Sequence, residues 1–214
     1  MIKDKVYVFD LDGTLADSMP VVWGTMPLRF LDERHISYPN DLLKQVIALG
    51  VPGLVDYYKK HFDLHETPEE IYAWFIQSGK THYETTVPEK PHTKETLLAL
   101  KARGASLNIL TGSPHVFLDP WVRRLGIENW FDNLWSVDDF PVNKANPDLY
   151  LEIARRLGVD TSACVMVDDS IVPLAAAKKA GWKTVGIYDE ASKNKERDMR
   201  ELADTYVYTL KELL

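Results

Sequence analysis

The sequence contains almost no cysteine. Cys164 is the only one among 214 residues, so the chain cannot form an internal disulfide. It lies within the apolar run of residues 163–167, a setting that favours a thiol buried in the core. The length allows one large domain, or a core with a smaller insert.

Long apolar stretches are missing as well. No run of the sequence approaches the ~20 apolar residues that a membrane-spanning helix requires. The first five residues lead directly into a strand pattern, without the apolar segment of a secretion signal. Together with the single cysteine, these features predict a cytoplasmic protein that has no membrane partner.

Positive charge is in deficit. The sequence contains 25 Lys and Arg residues and 32 Asp and Glu residues, which gives a formal charge of −7. This balance argues against nucleic acid or an anionic membrane as the main partner. A phosphorylated small molecule remains compatible, because a bound metal ion and a few local cations can reverse the field within one cleft.

The stretch of residues 6–15 joins a strand to an acidic turn. Four apolar residues lead to Asp10, Asp12 and Gly13, as in a buried parallel strand that ends at an active-site edge. Asp10 and Asp12 project from one face of an extended chain, and Gly13 permits a sharp turn. Because paired carboxylates on a buried strand need a compensating cation, we expect a divalent ion such as Mg²⁺. An ordinary Asp-Gly turn is the alternative interpretation.

Residues 17–89 show helix patterns and no strong strand candidate. Pro27 is expected to kink the first helix and Gly50 to end the second, while Thr67 begins a helix start signal. The expected helices cover residues 19–33, 41–49, 53–62 and a segment from residue 68 onward. Short helices with tight connections favour a small four-helix bundle with an aromatic core.

From Pro91 onward, helix and strand patterns alternate. The expected strands cover residues 107–110, 134–137, 164–167, 183–187 and 205–208, and the expected helices cover 93–103, 115–125, 147–157 and 173–180. This rhythm predicts the α/β class, with a Rossmann-like parallel sheet and helices on both faces. The predicted organisation is an α/β core of residues 1–16 and 90–214, interrupted by a helical insert of residues 17–89.

Polar residues gather where the expected strands end. They are Asp10, Asp12, Thr111, Gly112, Ser113, Asp168 and Asp169, with Lys144 in a loop at the same edge. Each has an ordinary explanation when taken alone, such as helix capping for Thr111 or solvent exposure for Lys144. Ligands of open α/β sheets bind beyond the carboxyl ends of the strands, so the shared placement indicates one site. Carboxylates, a lysine and a hydroxyl in one site suit phosphoryl transfer, which depends on positioned charge.

These residues resemble, in type and order, the four motifs of the haloacid dehalogenase (HAD) superfamily, the aspartate-nucleophile phosphohydrolases. The resemblance covers essentially the whole chain and is greatest to the subgroup of phosphoglycolate phosphatases and β-phosphoglucomutase. It implies the HAD fold, in which the four-helix insert is a C1-type cap that closes over the site and shapes substrate choice.

By this resemblance, Asp10 is the nucleophile that becomes an aspartyl-phosphate. Asp12 is the general acid and then the base for the hydrolytic water, and its presence indicates a phosphate ester as the substrate, not a carbon–halogen bond. Thr111 and Lys144 hold the phosphate, with a further contact from the backbone of Gly112 or from Ser113. The implied ligands of Mg²⁺ are Asp10, Asp12 through its carbonyl, Asp168 directly or through water, and Asp169.

The leading hypothesis is a Mg²⁺-dependent phosphatase acting on a small phosphorylated metabolite. A phosphomutase of the β-phosphoglucomutase type is the alternative, although the turn at residues 50–53 offers no Lys or Arg to grip a second phosphate. A non-catalytic regulator is disfavoured, because every motif position keeps a chemically competent side chain. The natural substrate, the cap residues that contact it, and the choice between monomer and homodimer stay open at this point.

Overall fold

The computed structural model describes residues 5–47 and 49–214. Residues 1–4 of the predicted core and Ala48 of the predicted helix 41–49 lie outside this part of the chain. Internal contacts divide the chain into two units. One combines the residues up to Asp17 with Glu89–Leu214, and the other is Ser18–Pro88.

A six-stranded sheet forms the centre of the larger unit. Its strands are β1 (Val6–Phe9), β2 (Ser106–Thr111), β3 (Asn133–Ser136), β4 (Cys164–Asp168), β5 (Lys183–Ile187) and β6 (Thr205–Val207). The spatial order is β3-β2-β1-β4-β5-β6, and every neighbouring pair is parallel. Each strand agrees with its predicted range to within one residue at either end. The predicted Rossmann-like parallel sheet is confirmed.

The register of β1 determines which loops meet. Phe9, the last residue of β1, lies level with Ile109 of β2 and Val167 of β4. All three strands are buried along their whole length. Strands β1 and β4 are accordingly almost entirely apolar, whereas β2 also buries Ser106, Asn108 and Thr111. The segments that follow β1, β2 and β4 therefore emerge side by side at one edge.

The smaller unit is helical. It contains a π-helical turn (Met19–Trp23) and the helices α1 (Met26–Asp32), α2 (Leu42–Val46), α3 (Gly50–His61) and α4 (Pro68–Thr85). Phe30, Tyr58 and Phe75 pack at the centre of this unit, with ring centroids 5.1 to 5.7 Å apart, and none of the three is exposed. The aromatic residues of the insert thus form a core, as predicted.

Two predictions for this unit were wrong in detail. The expected helix 19–33 is interrupted at Gly24, and Pro27 lies in the first turn of α1, where its missing N–H has no helical partner to lose. Gly50 does not end a helix but begins α3, with a φ of +65°. This left-handed conformation, which suits glycine, reorients the chain where α3 starts.

The remaining helices belong to the larger unit. They are α5 (Thr93–Ala102), α6 (His115–Arg124), α7 (Pro147–Leu157), α8 (Ile171–Lys179) and α9 (Glu196–Leu202). Helix α7 has the predicted bounds because local signals define both ends: Asn146 Oδ1 accepts from the Asp148 N–H at 2.9 Å, and Gly158 adopts a φ of +67°. Within residues 5–47 and 49–214, no helix has the length and apolar character needed to cross a membrane.

The chain leaves the sheet and returns to it at adjacent points. Ala16, after β1, forms an antiparallel bridge with Glu89, and the Lys90 N–H donates to the Leu15 carbonyl at 2.8 Å. The Lys90 ammonium also donates to the buried carboxylate of Asp189 at 2.6 Å. These contacts join the two segments that flank the helical unit.

The capping interactions at the start of α4 predict a measurable contribution to stability. The Glu70 N–H donates to Thr67 Oγ1 at 3.3 Å, and the Thr67 N–H donates to the Glu70 carboxylate at 2.8 Å. Thr67→Ala should lower the free energy of unfolding by about 1 kcal/mol, measured by urea denaturation. Thr81→Ala is the control, because Thr81 is exposed within the same helix, and it should cost less than about 0.5 kcal/mol. Equal losses would contradict the capping role.

Candidate active site

The turn after β1 places two carboxylates at the edge of the sheet. The Ala16 N–H donates to the Leu11 carbonyl at 2.8 Å, which folds the chain back on itself directly after the strand. Gly13 adopts a φ of +77° within this turn. As a result Asp10 is only 7% exposed, and Asp12 lies on the turn itself.

Lys144 lies between two of the buried carboxylates. Its ammonium donates to Asp10 Oδ1 at 2.8 Å and to Asp168 Oδ2 at 2.6 Å. The other oxygen of Asp168 accepts from the Ser170 N–H at 2.8 Å. The Tyr150 hydroxyl donates to the Lys144 carbonyl at 2.9 Å and so ties helix α7 to the loop that carries the lysine. Backbone and side chain of Lys144 are therefore both fixed.

Asp169 adds a third carboxylate to the cluster. The Thr14 hydroxyl donates to it at 3.3 Å, and the backbone at Gly13 passes so close that a Cβ there would lie 2.7 Å from Asp169 Cγ. Asp10, Asp168 and Asp169 each offer a carboxylate oxygen, and these oxygens lie within 4.8 Å of one another. This donor set suits a hard divalent cation, which prefers oxygen ligands.

The electrostatics of the cluster also fit a cation. Burial raises the pKa of Asp10 to about 7, opposed by Lys144 and assisted by repulsion from Asp168 and Asp12. Burial also raises the pKa of Asp168, and that of Asp169 well above its usual value. Burial alone would lower the pKa of Lys144, but attraction to Asp10 and Asp168 outweighs it and raises that pKa. Three carboxylates around one ammonium leave negative charge that a divalent ion would neutralise.

The loop after β2 is joined to the turn after β1. The Ser113 hydroxyl donates to Asp12 Oδ2 at 2.6 Å, and the Ser113 N–H donates to Thr111 Oγ1 at 3.0 Å. Thr111 and Ser113 are buried, whereas Gly112 is exposed and has no heavy atom within 4 Å of the position a Cβ would take. Of the eight residues predicted from the sequence, one group consists of Asp10, Asp168, Asp169 and Lys144, and the other consists of Asp12, Thr111, Gly112 and Ser113.

A histidine that the sequence analysis did not single out lies beside this loop. His115 Nδ1 is 3.0 Å from Asp119 Oδ1, and Nε2 is 2.9 Å from Asp139 Oδ2. Asp139 also accepts from the Ser136 N–H at 2.9 Å. The start of α6 is therefore tied to the segment after β3. The helical spacing of His115 and Asp119 was a usable signal for one of these contacts.

Thr14 and Tyr150 were missed as well, and each supports a predicted residue. Thr14 follows directly after the acidic turn, so its position was a signal. Tyr150 falls on the buried stripe of α7, where its ring is expected in the core, and only the structure shows its hydroxyl reaching the Lys144 carbonyl.

Known proteins resemble the chain along almost its whole length. The model of the family described as haloacid dehalogenase-like hydrolase matches residues 5–181. Hexitol phosphatase B of Escherichia coli (strain K12) is 28% identical over an alignment of 209 residues, which covers 96% of this chain and 92% of that protein. Phosphoglycolate phosphatase of Colwellia psychrerythraea (strain 34H) is 28% identical over 191 residues, with 86% and 84% covered.

A solved structure shares the fold. CbbY from Rhodobacter sphaeroides, in complex with phosphate, superimposes with a TM-score of 0.81 at 20% sequence identity. The match covers 100% of this chain and 96% of that one.

The close approach of Gly13 to Asp169 predicts that a methyl group is not tolerated there. Gly13→Ala combines a strained positive φ, which costs about 1–2 kcal/mol, with a steric clash against Asp169. Gly104→Ala is the matched control, because Gly104 has a φ of +83° and no heavy atom within 4 Å of the added Cβ. Thermal denaturation should show a clearly larger loss of stability for Gly13→Ala. Equal losses would refute the clash.

The contacts of His115 predict a pH-dependent contribution to stability. Burial lowers its pKa, but hydrogen bonds to Asp119 and Asp139 outweigh this and raise it. A raised folded-state pKa stabilises the protein fully below the unfolded-state pKa of about 6.5, and this stabilisation is lost as the pH rises through the folded-state value. His115→Gln should therefore lower the Tm more at about pH 5.5 than at about pH 9. An equal decrease in Tm at both pH values would show that the charge of His115 does not contribute through Asp119 and Asp139.

Proposed function

Because the chain belongs to the family of haloacid dehalogenase-like hydrolases, we propose that it hydrolyses the phosphate ester of a small metabolite through an aspartyl-phosphate on Asp10, with Mg²⁺ as cofactor. The family assignment confirms the resemblance read from the sequence. Relatives named as phosphatases match nearly the full chain, which supports phosphatase activity. The observation that carries the proposed mechanism is the buried cluster of Asp10, Asp168 and Asp169 around Lys144.

Asp10 is proposed as the nucleophile. Its carboxylate must be ionised to attack phosphorus, and the Lys144 ammonium at 2.8 Å favours the ionised form. The attack forms a bond from an Asp10 oxygen to phosphorus and breaks the bond to the ester oxygen. Water then displaces the phosphoryl group from Asp10 and yields inorganic phosphate.

Asp10, Asp168 and Asp169 would hold Mg²⁺, together with the backbone carbonyl of Asp12. When bound, the ion supplies positive charge for the phosphoryl oxygens. Lys144 supplies a fixed positive charge beside it, and both favour the charge that builds up during transfer. Asp168 keeps the lysine in place, since the two groups lie 2.6 Å apart.

Two further groups complete the proposed reaction. Thr111 Oγ1 accepts the Ser113 N–H, so its own hydroxyl hydrogen is left to donate to a phosphoryl oxygen, next to the exposed backbone of Gly112. Asp12 gives a proton to the leaving ester oxygen and later removes one from the attacking water. This return of the proton leaves Asp12 ready for another cycle.

The proposal also assigns a role to each predicted domain. The core of residues 1–16 and 90–214 carries the chemistry, and the insert of residues 17–89 acts as the cap that selects the substrate. A small metabolite is proposed because the chain is acidic overall, with a formal charge of −7, and offers no general affinity for large polyanions. A cytoplasmic location is part of this proposal.

The nucleophile assignment is tested by Asp10→Asn. We expect phosphate release from p-nitrophenyl phosphate and from a panel of phosphorylated metabolites to decrease about a thousandfold or more, because an amide cannot form the aspartyl-phosphate. Asp160→Asn is the matched control, since Asp160 is exposed and lies before β4, at the opposite end of that strand. Chelation with EDTA should abolish the wild-type activity, and added Mg²⁺ should restore it. Retained turnover by Asp10→Asn would refute the assignment.

The same assay separates hydrolysis from phosphomutase transfer. Both reactions use the aspartyl-phosphate, but a mutase returns the phosphoryl group to a second hydroxyl of the sugar. With hexose phosphates as substrates, we expect free phosphate and no isomer. Isomerisation without appreciable phosphate release would favour the mutase.

A further inference from the structure

Ser113 makes a contact that phosphate binding does not require. Its hydroxyl donates to Asp12 Oδ2 at 2.6 Å. The side chain is only 4% exposed, so water does not compete freely for this hydrogen bond. The two residues are 101 positions apart and come from the loops after β2 and β1.

The donors of Ser113 are both in use. A serine has one hydroxyl hydrogen and one backbone N–H. The hydroxyl hydrogen goes to Asp12, and the N–H goes to Thr111 Oγ1 at 3.0 Å. In this arrangement Ser113 has no donor left for a phosphoryl oxygen, whereas Thr111 still has its hydroxyl hydrogen.

The backbone that carries the Ser113 hydroxyl is restrained on both sides. On one side the N–H bond to Thr111 closes a tight turn directly after β2. On the other side Pro114 restricts the chain before α6, and His115 links the start of that helix to Asp139. Asp12 is therefore contacted by a hydroxyl whose backbone is held in place.

We propose that Ser113 is a positioning residue that orients the Asp12 carboxylate for proton transfer. The hydrogen bond restrains the Asp12 carboxyl group through Oδ2. When the phosphorus–oxygen bond breaks, the proton moves from the Asp12 carboxyl group to the leaving oxygen, while Ser113 keeps its contact with Oδ2. The inference rests on the proposed phosphatase mechanism, in which Asp12 is the general acid.

The test varies the leaving group of the substrate. An alkoxide needs a proton in order to leave, whereas p-nitrophenolate leaves readily without one. Ser113→Ala should lower kcat/KM for sorbitol 6-phosphate, or for the alkyl phosphate that the wild type hydrolyses fastest, by about 10- to 100-fold. The value for p-nitrophenyl phosphate should change far less, and inhibition by inorganic phosphate should stay the same. The ratio of the two kcat/KM values is measured on one preparation, so any loss of folded protein cancels.

Two further variants serve as a conservative replacement and a matched control. Ser113→Thr keeps a hydroxyl and should recover most of the activity on the alkyl phosphate. Ser106→Ala is the matched control, because Ser106 is a buried serine at the other end of β2 whose hydroxyl donates to the carboxylate of Asp132. It should leave the ratio of the two kcat/KM values unchanged.

Other outcomes would overturn the inference. Equal losses on both substrates with weaker inhibition by inorganic phosphate would make Ser113 a phosphate ligand. No loss on either substrate would remove it from the reaction. Both outcomes differ from failure of the proposed function, in which the wild type itself would hydrolyse no phosphate ester.

Discussion

The site depends on one buried ammonium group. Asp10, Asp168 and Asp169 are packed at the ends of two neighbouring strands, where their mutual repulsion and loss of hydration oppose ionisation. Lys144 offsets part of this cost by contacting two of the three carboxylates. Removing one partner of such a buried group leaves an uncompensated charge, so the lysine and the carboxylates depend on each other. The remaining negative charge supports the proposal that the site binds a divalent metal ion.

The strand order explains how these side chains come to share one edge. Strand β1 lies at the centre of the sheet between β2 and β4, so the loops after these three strands are neighbours although more than 150 residues separate the first from the last. The sheet changes its direction of growth at β1, and crevices of open α/β folds form at such points. Parallel pairing with little freedom in register then holds the loops at a constant separation.

Local signals account for what the sequence predicted well. The bounds of α7 follow from a capping asparagine and a terminal glycine, and the candidate site residues were proposed because polar groups follow apolar strands at their ends. Gly50 and Pro27 were misread because glycine can start or stop a helix, and proline suits both a kink and a first turn. The hydrogen bond between Ser113 and Asp12 could not be predicted from the sequence. It depends on the register of two strands and on a turn that directs one hydroxyl, and neither leaves a pattern in the sequence.

The bridge between Ala16 and Glu89 has a consequence for how the fold changes over evolution. Because the core holds the two ends of the helical insert together, lengthening the insert raises the closure entropy cost only slowly. Ala16, Ser18 and Val87 at this junction are buried, so insertions are expected in the exposed parts of the insert beyond it. The segment Ser18–Pro88 can therefore change in length within its exposed parts while β1 and the carboxylates stay in place. The helical unit can in this way change without altering the carboxylate cluster.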